Sequence, residues 1–207
     1  MTGSASTPKG ERRRQALVEA AAELLDEGGF DAVRHRAVAR RAGLPLASTT
    51  YYFHSLDDLV TAAVEHHWRA ELAVCRARLA DLSGGSRDRG GSRDPGDGVD
   101  GDDDVVELVL DALLGPDAAG AGAVLLRYER FVAAGRRPWL APLMRELKAE
   151  LDVLLLDALS HSARFRTRGR EELELLVAVV DGAVVNALIE ADPDPRAAAR
   201  RMLLRCL

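Results

Sequence analysis

The sequence predicts an all-α protein, with a small N-terminal helical domain joined by a long helix to a larger helical C-terminal domain. Hydrophobic residues make up 47% of the 207 residues, but aromatic residues only 4%. The apolar volume therefore comes mostly from Ala, Leu and Val, which suits helices better than sheets. Apolar residues recur at helical spacing, and no stretch alternates cleanly with a period of two. A chain of this length can bury a core in one large or two small domains.

The first helix is predicted over about residues 9–27. Residues 1–8 are small and polar, which predicts a disordered arm ahead of it. Gly28 and Gly29 should end the helix by supplying a left-handed cap, and Phe30 follows as an expected core anchor. The apolar positions that fall on one face of this helix are Leu17, Ala20, Ala21, Leu24 and Leu25.

Two short helices separated by a glycine follow. A basic helix is predicted over about residues 34–42, Gly43 ends it, and Pro45 stands in the first turn of a second helix over about residues 45–52. The second helix carries short side chains, which allow its backbone to approach a surface closely, and its Ser and Thr can hydrogen-bond base edges or phosphates. This order of elements is that of a helix-turn-helix, whose second helix enters the major groove of DNA.

A long helix begins at a capping box. Ser55 and Asp58 fit the S-x-x-D pattern, in which the Ser caps the helix while the acid reaches back and is favoured by the helix dipole. The helix is predicted over about residues 56–82. Residues 83–104 are rich in Gly, Ser and charged side chains, which predicts a flexible loop.

Helices resume beyond this loop, at about residues 103–114, 121–134, 139–160, 170–191 and 195–207. The penultimate helix is apolar on much of its circumference, so it must be covered on several sides. A single chain has too few other helices left to cover all sides of this helix. We therefore expect a homodimer in which the last two helices of each subunit form a four-helix bundle about a twofold axis.

Charge is distributed unevenly along the chain. The net charge is −5, but residues 1–55 carry eight Lys and Arg against six acids, whereas the remainder carries 20 against 27. This distribution predicts that the N-terminal end faces phosphate and that the acidic body avoids it. The run Arg12-Arg13-Arg14 fits either a phosphate contact or a solvated helix face.

The lack of a membrane span or signal segment, together with the positions of the cysteines, favours a cytoplasmic protein. No apolar run reaches the roughly 18 residues of a membrane span, and the first ten residues have no apolar signal segment. Cys75 and Cys206 lie far apart within helical patterns. They are expected to be buried thiols in a reducing compartment, the alternative being a disulfide or redox switch.

The stretch Glu11–Leu59 resembles the TetR family of transcriptional regulators along its whole length. Beyond about residue 80 the resemblance is architectural only. It implies a homodimeric repressor whose N-terminal domain binds a palindromic DNA operator and whose C-terminal domain binds a small-molecule effector. The expected domains are a helix-turn-helix domain at 9–55 and a regulatory and dimerisation domain at 56–207. The matching segments are residues 20–25, 29–30, 38–44, 49–53 and 55–59.

The resemblance also implies which residues contact DNA. The start of the second helix would meet phosphate or a base, the first half of the third helix would face the groove, and its second half would face the backbone. One or both of Tyr51 and Tyr52 should be partly buried, and Phe53 fully buried. The expected DNA-binding residues are Arg34, His35, Arg36, Arg40, Leu46, Ala47, Ser48, Thr49, Thr50, Tyr51, Tyr52 and His54.

Two positions depart from the family pattern. Many members have a Lys where this chain has Leu56, so a phosphate anchor is missing or moved to His54. Many also have a Thr cap where this chain has Arg34, which cannot cap a helix through a short side-chain oxygen. The second helix should therefore begin less firmly.

An effector pocket is expected among the helices of the regulatory domain. Its candidate residues are also compatible with ordinary core packing, except that Asp181 and Asn186 stand in an apolar helix and must be satisfied at the dimer seam or face a cavity. No cofactor or metal is expected. The candidate effector-binding residues are His67, Trp68, Glu71, Tyr128, Phe131, Trp139, Met144, Asp181 and Asn186.

Two other functions fit parts of the sequence. His67 and Glu71 are spaced i, i+4 and could hold a metal in a helical enzyme, but a third ligand is lacking. The departures at Arg34 and Leu56 also fit a helical interaction protein that has lost operator binding. The chain has no phosphate-binding glycine loop, nucleophile elbow or C-x-x-C motif, so we expect no enzyme activity.

Overall fold

A computed structural model of the chain describes residues 7–88, 98–116, 120–162 and 169–206. Helices form throughout these ranges and no strand occurs in them, which confirms the predicted all-α class. The α-helices are α1 (Pro8–Ala32), α2 (His35–Arg41), α3 (Leu46–Tyr52), α4 (Leu56–Asp88), α5 (Gly98–Leu114), α6 (Ala121–Gly135), α7 (Ala141–Ser160), α8 (Arg170–Ile189) and α9 (Pro195–Arg205), and a short 3-10 helix spans Pro138–Leu140.

Helix α1 begins earlier than predicted and is interrupted where the glycines stand. The Thr7 hydroxyl accepts a hydrogen bond from the Gly10 amide, and Pro8 occupies the first turn, so the predicted arm is wrong for residues 7–8. Residues 1–6 lie outside the described residues. Gly28 and Gly29 have non-helical backbone angles, and Gly29 has a φ of 65°, as expected of residues that stop a helix.

The predicted loop at 83–104 is partly wrong. Helix α4 continues to Asp88 and α5 begins at Gly98, so residues 83–88 and 98–104 are helical, while residues 89–97 lie outside the described residues. Extending an existing helix adds one hydrogen bond for each residue fixed and avoids the cost of nucleation.

The other helices lie close to their predicted ranges. Gly115, with a φ of 99°, follows the end of α5, and the Asp194 carboxylate caps α9 by accepting from the Ala197 amide at 2.9 Å. Trp139 falls in the 3-10 helix ahead of α7 rather than in the long helix itself.

The described residues form two compact units. The described part of the first unit comprises residues 7–69 and 129–144. Its core is built by α1, α2, the start of α4 and residues near the end of α6, with Leu17, Val38 and Leu59 fully enclosed. Phe30 is 8% exposed, as predicted for a core anchor, and the Arg137 guanidinium lies 4.0 Å from the centre of its ring.

The second unit comprises the described residues from 70–128 and 145–207. Helix α9 packs against α8 and α5, and its arginines form ion pairs with acids of α5. Arg196 contacts Glu107 and Asp111, both at 2.7 Å. Arg200 contacts Glu107 at 2.9 Å, and Arg78 of α4 also pairs with Asp111.

The two cysteines are free thiols. Cys75 is buried as predicted, and this burial raises the pKa of its thiol, which disfavours the reactive thiolate. Cys206 is only half-buried. No helix in the described part of the chain is both long and apolar enough to cross a membrane.

Candidate DNA-binding interface and effector site

The turn between α2 and α3 depends on a glycine with a positive φ. Gly43 has a φ of 64°, a left-handed conformation that is strained for residues with a Cβ atom. The Leu44 amide donates to the Ala39 carbonyl at 3.0 Å and the Gly43 amide to the Arg40 carbonyl at 3.2 Å. These bonds close the end of α2, after which Pro45 precedes α3.

Helix α3 presents one face to solvent. Leu46 is 46% exposed and Tyr51 80% exposed, and the small side chains of Ala47 and Thr50 are exposed between them. Positions 46, 47, 50 and 51 lie on one side of a helix of 3.6 residues per turn, and His54 continues this side beyond the helix end. The face is thus apolar and small in its first turn and hydroxyl-bearing in its second.

Thr49 does not belong to this face. Its side chain is fully buried, and its hydroxyl donates to the Leu46 carbonyl at 2.8 Å, so the expectation that Thr49 faces the groove is wrong. Ser48 is half-buried. Thr50 is exposed, but its hydroxyl donates to the Ala47 carbonyl at 3.2 Å. Because the Thr50 hydroxyl hydrogen is used in this bond, its oxygen can only accept further hydrogen bonds. It can therefore accept from an amino group on a base, whereas a phosphate would need a donor.

The aromatic residues at the end of α3 have three different exposures. Tyr51 is exposed, Tyr52 is half-buried and Phe53 is 4% exposed, which confirms that one of the two tyrosines is partly buried and that Phe53 is buried. The two tyrosine rings meet edge to face at 4.8 Å. The Arg14 guanidinium lies 5.2 Å from the centre of the Phe53 ring, so the first turns of α1 lie beside the end of α3.

The basic residues of α2 divide into two groups. Arg36 and Arg40 are exposed one turn apart. Arg41, in contrast, pairs with Glu27 at 2.7 Å and with Glu23 at 3.0 Å. The hydrogen bond from Arg41 lowers the pKa of Glu27. Arg41 therefore fastens α2 to α1, a role that a local sequence pattern does not reveal because the acids lie 14 and 18 residues away.

The two departures from the family pattern have visible structural consequences. Arg34 occupies the N-cap position of α2 in an extended conformation without a side-chain capping bond, as predicted, and pairs with Asp31 at 3.5 Å. Leu56 is half-buried against the core of the first unit. His54 is exposed, whereas His35 is half-buried and its Nδ1 atom is enclosed without a hydrogen-bond partner among the described residues.

Five of the candidate effector residues lie in the first unit. The Trp68 and Phe131 rings pack at 5.1 Å, and Met144 packs against the core. His67 contacts Asp26 at 3.1 Å, and Trp139 is 37% exposed. These residues form core and polar contacts of the first unit.

The other four lie in the second unit. The Glu71 carboxylate accepts from the buried Arg127 guanidinium at 2.6 and 2.7 Å. The Tyr128 hydroxyl donates to the Asp181 carboxylate at 2.6 Å. Burial raises the pKa of both Asp181 and Tyr128. Asn186 is exposed on α8.

The second unit also contains a groove that the sequence did not indicate. It has a volume of about 410 Å³ and lies between α4 and α7. The Ser83 hydroxyl and the His161 Nε2 atom are 3.0 Å apart, and His161 Nδ1 lies 2.8 Å from the Asp157 carbonyl. The groove is lined by Arg76, Leu79, Ala80, Ser83, Glu150, Val153, Leu154 and Asp157.

The metal-binding alternative gains no support. His67 contacts an aspartate and Glu71 an arginine. Within the described ranges, no group of three or more His, Cys, Asp or Glu side chains is arranged to hold a metal ion.

A helix-turn-helix with an exposed second helix, followed by a helical second unit, defines a DNA-binding transcriptional regulator. The model of tetracyclin repressor-like C-terminal domains matches residues 100–207, and that of the bacterial regulatory proteins of the tetR family matches residues 17–63. Since the first match covers more than half of the chain, the protein belongs to the TetR family.

Similar proteins have the same fold. The crystal structure of multidrug binding protein EbrR in complex with ethidium has 31% identity and a TM-score of 0.61, covering 94% of this chain and 98% of that one. The TetR-family member SCO1917 from Streptomyces coelicolor A3 has 28% identity and a TM-score of 0.53, over 94% and 98%. The transcriptional dual regulator CecR of Shigella flexneri is 38% identical over 71 residues, which span 34% of this chain and 30% of that protein.

Proposed function

We propose that this protein is a cytoplasmic, homodimeric repressor that binds a palindromic operator and is released by a small-molecule effector. It acts through binding alone, without enzymatic chemistry or a cofactor. The observation that carries the proposal is the solvent-exposed face of α3 beside the exposed arginines of α2, because it combines a surface that fits a major groove with cations that fit phosphates.

Base reading is assigned to the first turns of α3. Leu46 and Ala47 can meet thymine methyl groups, and Thr50 can accept from a base amino group. Phosphate contacts are assigned to Arg34, Arg36 and Arg40, to Tyr51 and Tyr52, and to His54 in place of the missing lysine. Ser48 and His35 are half-buried and contribute at the edge of the interface.

The dimer is supported by an uncovered seam on α8. The exposed positions Leu175, Ala178, Gly182, Val185 and Ile189 follow one another at spacings of three and four residues, which is the spacing of a helix–helix seam. Leu175 and Ile189 are 66% and 76% exposed. A second copy of α8 would cover these side chains, and the two small residues between them would let the helices approach closely.

An effector is supported by the structural relatives. EbrR is described as a multidrug binding protein and has been crystallised with ethidium, proflavin and malachite green. By analogy, the regulatory helices of this chain take a small organic compound, and binding reduces operator affinity through linkage.

The test is selection of bound duplexes from a random pool, followed by affinity measurements over a range of salt concentrations. We expect a palindromic consensus and a steep fall of affinity with salt. Arg36→Ala and Arg40→Ala should each weaken binding to all duplexes and reduce the salt slope by about one for each lost phosphate contact. Arg145→Ala removes an exposed charge in the second unit and serves as the control. Recovery of no consensus would contradict operator recognition and favour an interaction protein.

A further inference from the structure

Asp181, a half-buried carboxylate on α8 in the second unit, has a neutral side chain as its direct partner. Asp181 accepts a hydrogen bond from the neutral hydroxyl of Tyr128, and it belongs to none of the ion pairs found among the described residues. Several buried or half-buried acids of the second unit instead have a Lys or Arg nitrogen within 2.9 Å, namely Glu71, Glu107, Asp111, Glu150 and Asp152.

The two cations whose charge acts on Asp181 already form ion pairs with other acids. Arg127 on α6 and Lys148 on α7 both act on Asp181 through their charge. However, Arg127 makes two bonds to Glu71, and Lys148 makes two to Asp152. The ionised form of Asp181 therefore lacks a direct counter-ion in a place where charge is costly, and removal from water raises the pKa of its carboxyl.

We propose that Asp181 is the counter-ion for a positively charged organic effector, held in position by the hydroxyl of Tyr128. This assignment rests on the proposed function, since it names the chemical class of the effector. A bound cation would supply the direct partner that Glu71, Glu107, Asp111, Glu150 and Asp152 already have. A neutral ligand of the same shape would leave the carboxylate uncompensated and would bind less tightly.

The test compares two ligands that differ by one amino group. 9-Aminoacridine is a cation at neutral pH and acridine is neutral, and their fluorescence allows titration of the full-length protein without DNA. We expect Asp181→Asn to weaken 9-aminoacridine binding by about tenfold or more, and acridine binding by less than about twofold. Glu171→Gln, which removes an exposed charge from the same helix, should change neither affinity.

A pH titration gives a readout that does not depend on the stability of the Asn variant. In the wild-type protein, 9-aminoacridine affinity should fall as the pH falls through the raised pKa of Asp181, because the protonated acid has no charge to offer. Tyr128→Phe removes a hydrogen bond that lowers the pKa of Asp181, so it should move the midpoint of this fall to higher pH. A midpoint that does not move would overturn the positioning role of Tyr128.

Absence of 9-aminoacridine binding by the wild-type protein, or an equal loss for both dyes in Asp181→Asn, would overturn the assignment of Asp181. Neither result would affect operator recognition, because these titrations contain no DNA. Conversely, failure of duplex selection would contradict the proposed function while leaving the dye affinities interpretable.

Discussion

At the scale of single residues, the enclosed ion pairs of the second unit make testable contributions to stability. Asp111 is 4% exposed and has Arg196 and Arg78 as partners. Removing one member of a fully buried pair costs about 3–5 kcal/mol. The arginine side chains here are 26% and 43% exposed, so we expect Asp111→Ala to lower the free energy of unfolding by about 2–3 kcal/mol, measured by urea denaturation. Asp103→Ala, at the exposed end of the same network, should cost less than about 1 kcal/mol.

Glu107 should make stability depend on pH. Burial alone would raise the pKa of this carboxyl, but hydrogen bonds and charge from Arg196 and Arg200 outweigh it and hold the pKa below its ordinary value. The Glu107 carboxyl therefore binds a proton more readily in the unfolded chain than in the folded protein. Its contribution to the free energy of unfolding is fully present above its ordinary pKa and is lost as the pH falls through the lowered pKa of the folded protein. Glu107→Gln should flatten the acid side of a plot of Tm against pH. An unchanged slope would contradict this role.

Residue-level roles were only partly predictable from the sequence. The burial of Phe53, and of one of the two tyrosines beside it, followed from their chemistry and position, but the sequence did not show which tyrosine is exposed. The burial of Thr49 did not follow, because a seven-residue helix is too short for periodicity to separate its inner side from its outer side, and the central side chains of α3 are all small. Arg41 and Glu27 lie 14 residues apart, and Tyr128 and Asp181 lie 53 apart, so no local pattern shows that either pair meets.

At the scale of elements, the turn of the helix-turn-helix depends on Gly43. No atom lies within 4 Å of a Cβ built there, so the cost of a substitution is conformational rather than steric. We expect Gly43→Ala to destabilise the protein by roughly 1–2 kcal/mol and Gly43→Asn by less, since Asn tolerates a positive φ better. Gly122→Ala, at an uncrowded helical glycine of α6, should be neutral or stabilising by up to about 1 kcal/mol. Equal costs for Ala and Asn at position 43 would contradict a conformational origin.

Helix ends were the part of the fold that composition predicted least well. The sequence indicated the type and order of the helices, since their apolar periodicity is strong. The polar stretch after residue 82 was interpreted as loop, yet α4 continues to Asp88. Composition describes what a segment would do alone, whereas a segment attached to an existing helix inherits its nucleus.

At the scale of the whole molecule, operator binding should depend on the seam of α8. In the proposed dimer, a charge at Ile189 or Leu175 would be buried against the apolar seam of a second copy. We expect Ile189→Glu to give a monomer by light scattering at micromolar concentration and to weaken binding to a palindromic duplex. Val153→Glu, on the 65% exposed position of α7, is the matched control and should remain dimeric. A dimeric Ile189→Glu protein would place the interface elsewhere.

The attachment of α2 to α1 by Arg41 affects how a scan of arginine variants should be interpreted. Replacing Arg41 would release α2 and weaken operator binding, so a simple affinity screen would count it among the residues that touch DNA. A true contact releases a counterion from the duplex when it forms, whereas a scaffold residue does not. Arg41→Ala should therefore lower affinity with an unchanged salt slope, and the number of ions released would separate the side chains that touch the operator from the one that holds the helix in place.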